Sequence, residues 1–459
     1  MLFVDIGSTY TKLVVVDVDR MCFVATDSAP TTVSDVSVGF QNALDKLSRK
    51  GLPEELLRER YASSSAAGGL RIVAVGLVPS LTVEAAKRAA LGAGAKVTKV
   101  FAFKMTRREI DEIAREIPDI ILLAGGTDGG ESETMLHNAR LLASGGLSAP
   151  IVIAGNARAA DEARDILRSS GVFARVTANV MPEVNKLCVE PVRDVIREIF
   201  IERIVVAKGL DKINSYIDGI ALPTPLAVLE AAKAVQSAAG SDVLVIDVGG
   251  ATTDVHSIAG GEPTDSKVLL KGLPEPFSKR TVEGDLGVRH NISSIIEETG
   301  EELFLSKMTE FGHADSERIK KTLDAWRDKT ECVACDDFER RLDGLLAYCA
   351  VKKAVDRHVG RIEPMWGVDG KILVQYGKDL TNLKILIGTG GPLIHGDRSG
   401  EVLEGATYAR GDPSLLKPKC PTFYVDKKYV LFSIGLLRTV DAEAAGLLAN
   451  SYLKEMEEI

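Results

Sequence analysis

The residues best suited to chemistry in this sequence are two aspartates, each standing just ahead of a glycine turn rich in hydroxyls. In VLVIDVGGATTDVHSI, Val243 to Ile258, an apolar run drives into Asp247, breaks at Gly249 and Gly250, offers Thr252 and Thr253, and resumes beyond Asp254. Glycine lets backbone N–H groups approach a phosphate, and threonine hydroxyls add donors. Asp247 and Asp254 would repel that phosphate unless a divalent cation or its waters stood between, which is how magnesium is usually held with nucleotides. The pattern recurs at the start of the chain, where LFVDIGSTYTKLVVVDVD carries Asp5, Gly7, Ser8, Thr9, Thr11 and Lys12. Asp5 and Asp247 are the candidates for orienting a nucleophile, and with Asp254 for holding a metal. The glycines and hydroxyls of both turns, with Lys12, are candidates for binding phosphate. An ordinary hairpin explains either stretch alone, and a surface lysine explains Lys12 equally well; the repetition is what points to a function.

To present these residues each stretch must fold as strand, turn and strand, and two such hairpins point to two similar lobes. The sequence has no G-x-x-x-x-G-K-[ST] loop and no complete G-x-G-x-x-G fingerprint, so the hairpins are left to hold the nucleotide, which favours ATP over NAD. At 459 residues the chain exceeds a single core and predicts two to three domains. Its 45% apolar and 26% charged composition is that of a globular protein. A net charge of −9 without a long basic run gives no nucleic-acid footprint. No apolar run approaches membrane-spanning length and nothing precedes the first strand, so a cytoplasmic protein with no membrane partner is expected.

Between the hairpins the rhythm changes. LRIVAVGLV, KVTKVFAF, DIILLAGG, PIVIAGN and ARVTANV alternate with helical patterns from about Leu70 to Val180, which predicts a parallel βα array. Ligands of such arrays sit beyond the strand ends, here Gly125, Gly126, Thr127, Asp128, Gly155 and Asn156, although tight βα turns call for the same glycines. The polar stretch Ser63 to Gly69 reads as a linker into the array. TPLAVLEAAKAVQSA is an amphipathic helix ended by Gly240, and Glu283 to Asn291 is a charged glycine turn that either touches nucleotide or is plainly capped. Charged helices over 300–361 read as a solvated pair, and YVLFSIGLLRTV followed by DAEAAGLLANSYLKEM reads as a last strand and helix. Of six cysteines only Cys332 and Cys335 stand at C-x-x-C spacing, one pair where zinc needs two, so reduced thiols are expected.

The two hairpins resemble those of the ATPase superfamily of actin, sugar kinases and heat-shock chaperones, in which duplicated lobes clamp ATP. LKILIGTGGPLIHG, Leu383 to Gly396, resembles that superfamily's adenosine-binding loop, which adds Gly388, Gly390 and Gly391 to the nucleotide-binding candidates. Lys12 resembles a lysine that some chaperone ATPases place near the phosphates. Glu190–Pro191 resembles the connecting-helix region, but a proline-led helix start explains it equally well, and Glu190 is not counted among the site residues. The implied fold is α/β: two actin-like lobes with an inserted parallel βα domain, residues 1–69 and 181–240 forming the first lobe, 70–180 the insertion and 241–459 the second lobe.

Taken together, DIGSTYTKLVVVD, LLAGGTDGG, VIAGNARA, DVGGATTDVHS, EGDLGVRHN and IGTGGPLIHG resemble, over essentially the full length, the accessory-protein family of adenosylcobalamin-dependent glutamate mutase. That family is also called MutL and is unrelated to the mismatch-repair protein of the same name. The resemblance implies a chaperone-like reactivating factor that uses ATP and magnesium to exchange damaged cobalamin in a mutase, so its partner would be the cobalamin-binding subunit. Mutase subunits that hold cobalamin through histidine carry D-x-H-x-x-G. Asp254-Val255-His256 with Gly260 misses that spacing by one position, and His358 near Asp356 and Gly360 also fails it, so the partner is expected to hold the cofactor. Two rivals share the ATP clamp. One is a sugar or acid kinase. The other resembles the activators of hydroxyacyl-CoA dehydratases, whose iron–sulfur cluster bridges two subunits and would here use Cys332 and Cys335 in a homodimer.

Overall fold

The computed structural model describes residues 1–7, 10–32, 35–65, 70–204, 217–310, 315–330, 332–367, 370–456 and 458–459. They divide into two units, Met1–Ala227 and Val228–Ile459.

The first unit holds β1 (Leu2–Ile6), β2 (Tyr10–Asp17), β3 (Cys22–Pro30), β4 (Arg60–Ser64), β5 (Arg71–Gly76), β6 (Lys96–Ala102), β7 (Ile120–Leu123), β8 (Ile151–Ile153), β9 (Ala174–Val176) and β10 (Gly219–Pro223). LFVDI and most of KLVVVD are buried on both faces, which is why these runs read as continuous rather than alternating. Its first sheet has the order β10-β4-β1-β2-β3. β1 and β2 form the expected hairpin, and β4 and β10 add on in parallel. The helix Val36–Ser48, capped by Asp35, lays Phe40, Ala43 and Leu47 against β2 and β3.

Between β4 and β10 the chain builds a second sheet of order β6-β5-β7-β8-β9, parallel throughout. The five apolar runs are its strands, and amphipathic helices such as Arg107–Glu116, opened by a capping box of Thr106 and Glu109, close its own core. The helix Glu190–Ile199 packs on Glu84–Gly92, so it belongs with this second sheet. What returns to the first sheet is β10. Ser63 and Ser64, read as linker, are the buried end of β4.

In the second unit lie β11 (Val243–Val248), β12 (Thr253–Ile258), β13 (Val268–Lys271), β14 (Ser278–Glu283), β15 (Arg361–Gly367), β16 (Gly370–Tyr376), β17 (Ile385–Thr389) and β18 (Thr422–Val425). Its main sheet has the order β14-β12-β11-β17-β18. Reversed, that is the first sheet again: a hairpin, a third strand antiparallel to its second arm, and two strands parallel to its first arm. The duplicated α/β architecture expected of an actin-like fold is therefore present. β13, β16 and β15 form a separate small sheet.

Two elements differ from expectation. Asp337–His358 is not a solvated helix: Leu342, Leu345, Leu346, Ala350 and Val351 make it the spine of the second unit's core. Leu431–Val440 is a helix rather than a strand, with the seven residues Leu431 to Leu437 all buried, and the last strand is TFYV before it. A short, wholly apolar run carries no period that separates buried helix from buried strand. Among the described residues no helix is long and apolar enough to cross a membrane.

Candidate functional site

The two hairpins close in the same way. The Gly7 amide donates to the Tyr10 carbonyl at 3.0 Å, and the Gly249 amide to Thr252 at 2.9 Å. A Cβ on Gly7 would meet the Tyr10 carbonyl oxygen at 2.7 Å, so that turn leaves no room for a side chain. Asp5 stands across from Lys12 and Asp247 across from Asp254, each aspartate two residues before its turn glycine. Ser8 and Thr9 lie outside the described residues.

Strand alternation sorts the hydroxyls that the sequence groups together. Thr11 is fully buried and pairs with Thr31 at 3.0 Å, while Thr253, also fully buried, donates to the Leu286 carbonyl at 2.7 Å. Both point away from the turn surface. Thr252 remains half-exposed at the tip, 3.0 Å from Asp254.

In the first hairpin Asp5 is nearly closed off, 1% exposed. Its Oδ1 accepts from the hydroxyls of Thr224 at 2.5 Å and Ser63 at 3.1 Å. Its Oδ2 faces the turn, 3.9 Å from where a Cβ on Gly7 would sit. In the second hairpin Asp247 is half-buried, and Asp254 is held by Arg280, whose Nε and Nη2 reach Oδ1 at 2.9 and 2.6 Å. With Thr252 on its other oxygen, Asp254 has a structural partner for each oxygen.

The loop after β17 meets the second hairpin directly. Thr389 is the register partner of Asp247. Gly390 has φ +96, and a Cβ there would lie 2.2 Å from the Val248 carbonyl and 2.8 Å from Asp247 Oδ1. Both the backbone and the close approach require glycine. Gly388 is packed under Leu393 and Leu403, whereas Gly391 faces open space. The charged run Glu283 to Asn291 buttresses the tip: the amides of Val288, Arg289 and His290 donate to the carbonyls of Gly249 and Gly250 at 2.9–3.2 Å. Arg289 is pinned in turn by Asp343 at 2.6 Å and lies 4.5 Å from the Trp326 ring centre.

Other marked residues have structural partners. Asn156 accepts from Gly129 and Arg158 and donates to Gly130 and Glu131, and Asn179 ties Gly126 to Asp128. These bonds knit together the loops at the second sheet's carboxyl edge, beside a cleft of about 320 Å³. Glu190 projects outward and pairs with Arg193. His256 and His358 are both fully buried, and burial holds their pKa values well below the ordinary histidine range. His358 bonds Ser257 and Thr281 at 2.8 Å. Cys332 is half-buried, with its carbonyl accepting from Arg289, and Cys335 is exposed.

Among the described residues no group of three or more histidine, cysteine, aspartate or glutamate side chains is placed to hold a metal by protein ligands alone. A magnesium ion suits such a place, because it keeps several waters and takes one or two carboxylates plus phosphate oxygens. Half-buried Asp247, beside the Gly390–Gly391 loop where Gly391 faces open space, fits that requirement best.

Sequence reasoning missed Ser63, Thr224, Thr389 and Arg280. Only the repeat could have found the first and third, which stand opposite Asp5 and Asp247 on the strands beside β1 and β11.

A family model described as "MutL protein" matches residues 1–453. "Protein MutL" of Clostridium tetanomorphum is 45% identical over 459 residues, 98% of each chain. Among solved structures, the ATP-dependent caprolactamase of Pseudomonas jessenii aligns over 95% of this chain and 70% of its own at 12% identity and TM-score 0.35. A nucleotide-free acetone carboxylase aligns over 62% of this chain and 48% of its own, about half its length, at 18% identity and TM-score 0.32. The fold assignment rests on the duplicated strand order, and the near end-to-end match with the Clostridium protein carries the kinship: this chain belongs to the MutL protein family.

Proposed function

We propose that this protein is an ATP-dependent reactivating factor, which binds magnesium-ATP at its hairpins and uses binding and hydrolysis to make an adenosylcobalamin-dependent mutase release damaged cobalamin. The observation that carries the proposal is the duplicated hairpin, with Asp5 and Asp247 at the same register in two sheets of one topology, in a chain of the MutL family. At the second hairpin the exposed turn glycine Gly250 lets phosphate oxygens approach the backbone. Magnesium, when bound, neutralises phosphate charge. Asp247 would hold its waters at the second hairpin, and Asp5, whose Oδ1 is fixed by two hydroxyls, turns Oδ2 toward the first turn. Asp254 keeps Arg280 and Thr252 in place instead of serving the ion. Gly390 and Gly391 leave room for the rest of the nucleotide.

The test is magnesium-ATP binding by calorimetry and slow hydrolysis by the protein alone, compared with Asp5→Ala and Asp247→Ala. Removing one correctly placed group commonly costs about two orders of magnitude in rate. Hydrolysis by both variants within about threefold of the parent would reject these roles. A kinase would instead turn over ATP only with a small acceptor present.

A further inference from the structure

The Asp5 carboxylate is held by side chains distant in sequence, and one of them opens the helix that carries the chain out of its unit. Thr224 is the first residue of Thr224–Ala239, directly after β10, and the first unit ends three residues later at Ala227. Its hydroxyl donates to Asp5 Oδ1 at 2.5 Å, a shorter hydrogen bond than that from Ser63 to the same oxygen. Asp5, Ser63 and Thr224 are 1%, 0% and 5% exposed, so water does not compete for these bonds. Both hydroxyls converge on one carboxylate oxygen, which fixes the plane of the group and leaves the other oxygen turned to the hairpin tip. A buried carboxylate without donors would be neutral or would turn toward whichever donor remained.

We infer that Thr224 is a positioning residue for the nucleotide site: its hydroxyl locks Asp5 in the rotamer that faces the metal-bound phosphates, while its methyl group contributes only packing. The same helix continues into the second unit, where Glu230 is ion-paired with Lys233 and with Arg438 of Leu431–Val440. Nothing in the local sequence marks this role, because a threonine after proline at a helix start reads as a plain N-terminus.

Thr224 matters in this way only if the hairpins bind nucleotide, so binding by the parent protein is measured first. Two substitutions then separate hydroxyl from shape. Thr224→Val keeps the shape and removes the donor; Thr224→Ser keeps the donor and removes the methyl. With magnesium present, Thr224→Val is expected to raise the ATP dissociation constant about tenfold or more, the range for losing a hydrogen bond to a charged group. Thr224→Ser should stay within about threefold of the parent. With magnesium chelated, all three proteins should bind alike. The converse pattern, valine binding like the parent and serine weakened, would make Thr224 a packing residue and overturn the inference. Thermal midpoints without nucleotide confirm that each variant is folded, and Ser63→Ala, which removes the other donor to the same oxygen, should weaken binding in the same direction if Thr224→Val does not fold. A parent that binds no magnesium-ATP would overturn the nucleotide site itself, an outcome distinct from equal binding by parent and Thr224→Val.

Discussion

Asp426 occupies in the second unit the place that Thr224 has in the first, the residue after the outermost parallel strand. Thr389 likewise answers to Ser63 and bonds Asp426 at 3.3 Å. Burial pushes the Asp426 carboxyl up to about 6, against the pull of the Tyr452 hydroxyl, the Val430 and Leu431 amides and Thr389. A carboxyl raised above its unfolded value of about 4 binds its proton more readily in the folded state. Its contribution is fully present below that unfolded value and is lost as pH rises through 6. Asp426→Asn should therefore cost less stability at about pH 7.5 than at about pH 5, by about 1 to 2 kcal/mol in urea unfolding; a cost that grew with pH would contradict the assignment. At this scale the sequence showed the aspartates and turn glycines because they repeat. It did not show their partners, because Ser63 and Thr224 reach Asp5 across 58 and 219 residues through parallel strand pairing. It also grouped Thr11 and Thr253 with the exposed donors, since hydroxyl content alone does not tell which face of a strand is buried.

Among the elements, both hairpins and all five strands of the inserted sheet were legible from runs of Val, Ile and Leu bounded by glycine. Leu431–Val440 and Asp337–His358 were not: the first is apolar on all sides, and the second hides a core-facing series within a charged composition. The second sheet has its own core and stands in the chain between neighbouring strands β4 and β10. If the hairpins bind nucleotide as proposed, such a layer is suited to gripping a partner. Replacing residues 70–204 with a linker of about a dozen residues, the length a parallel crossover requires, should leave magnesium-ATP binding within about threefold of the parent while abolishing mutase reactivation. A shortened protein that reactivated at the parental rate would remove the partner role from this layer.

At the scale of the whole molecule the main sheet of each unit is one design used twice, and that was visible in the sequence, because DIGSTYTK and DVGGATTD are the same turn written twice. Their setting, a five-stranded main sheet of one order in each unit, follows from the pairing of segments far apart, and the sequence pointed only to two similar lobes. A nucleotide can drive release from a partner only if it has different affinities for two conformations, so the proposed function requires ATP binding and hydrolysis to switch the protein between a form that holds the mutase open and one that lets go. The most direct measurement is cofactor exchange in an adenosylcobalamin-dependent glutamate mutase inactivated with hydroxocobalamin, followed by release of the spent cobalamin on adding this protein, magnesium, ATP and fresh adenosylcobalamin. Release should require both ATP and an intact Asp247. Spent cobalamin leaving no faster with protein and ATP than without them, while ADP formation rose on adding a sugar or acid, would contradict reactivation and identify a kinase.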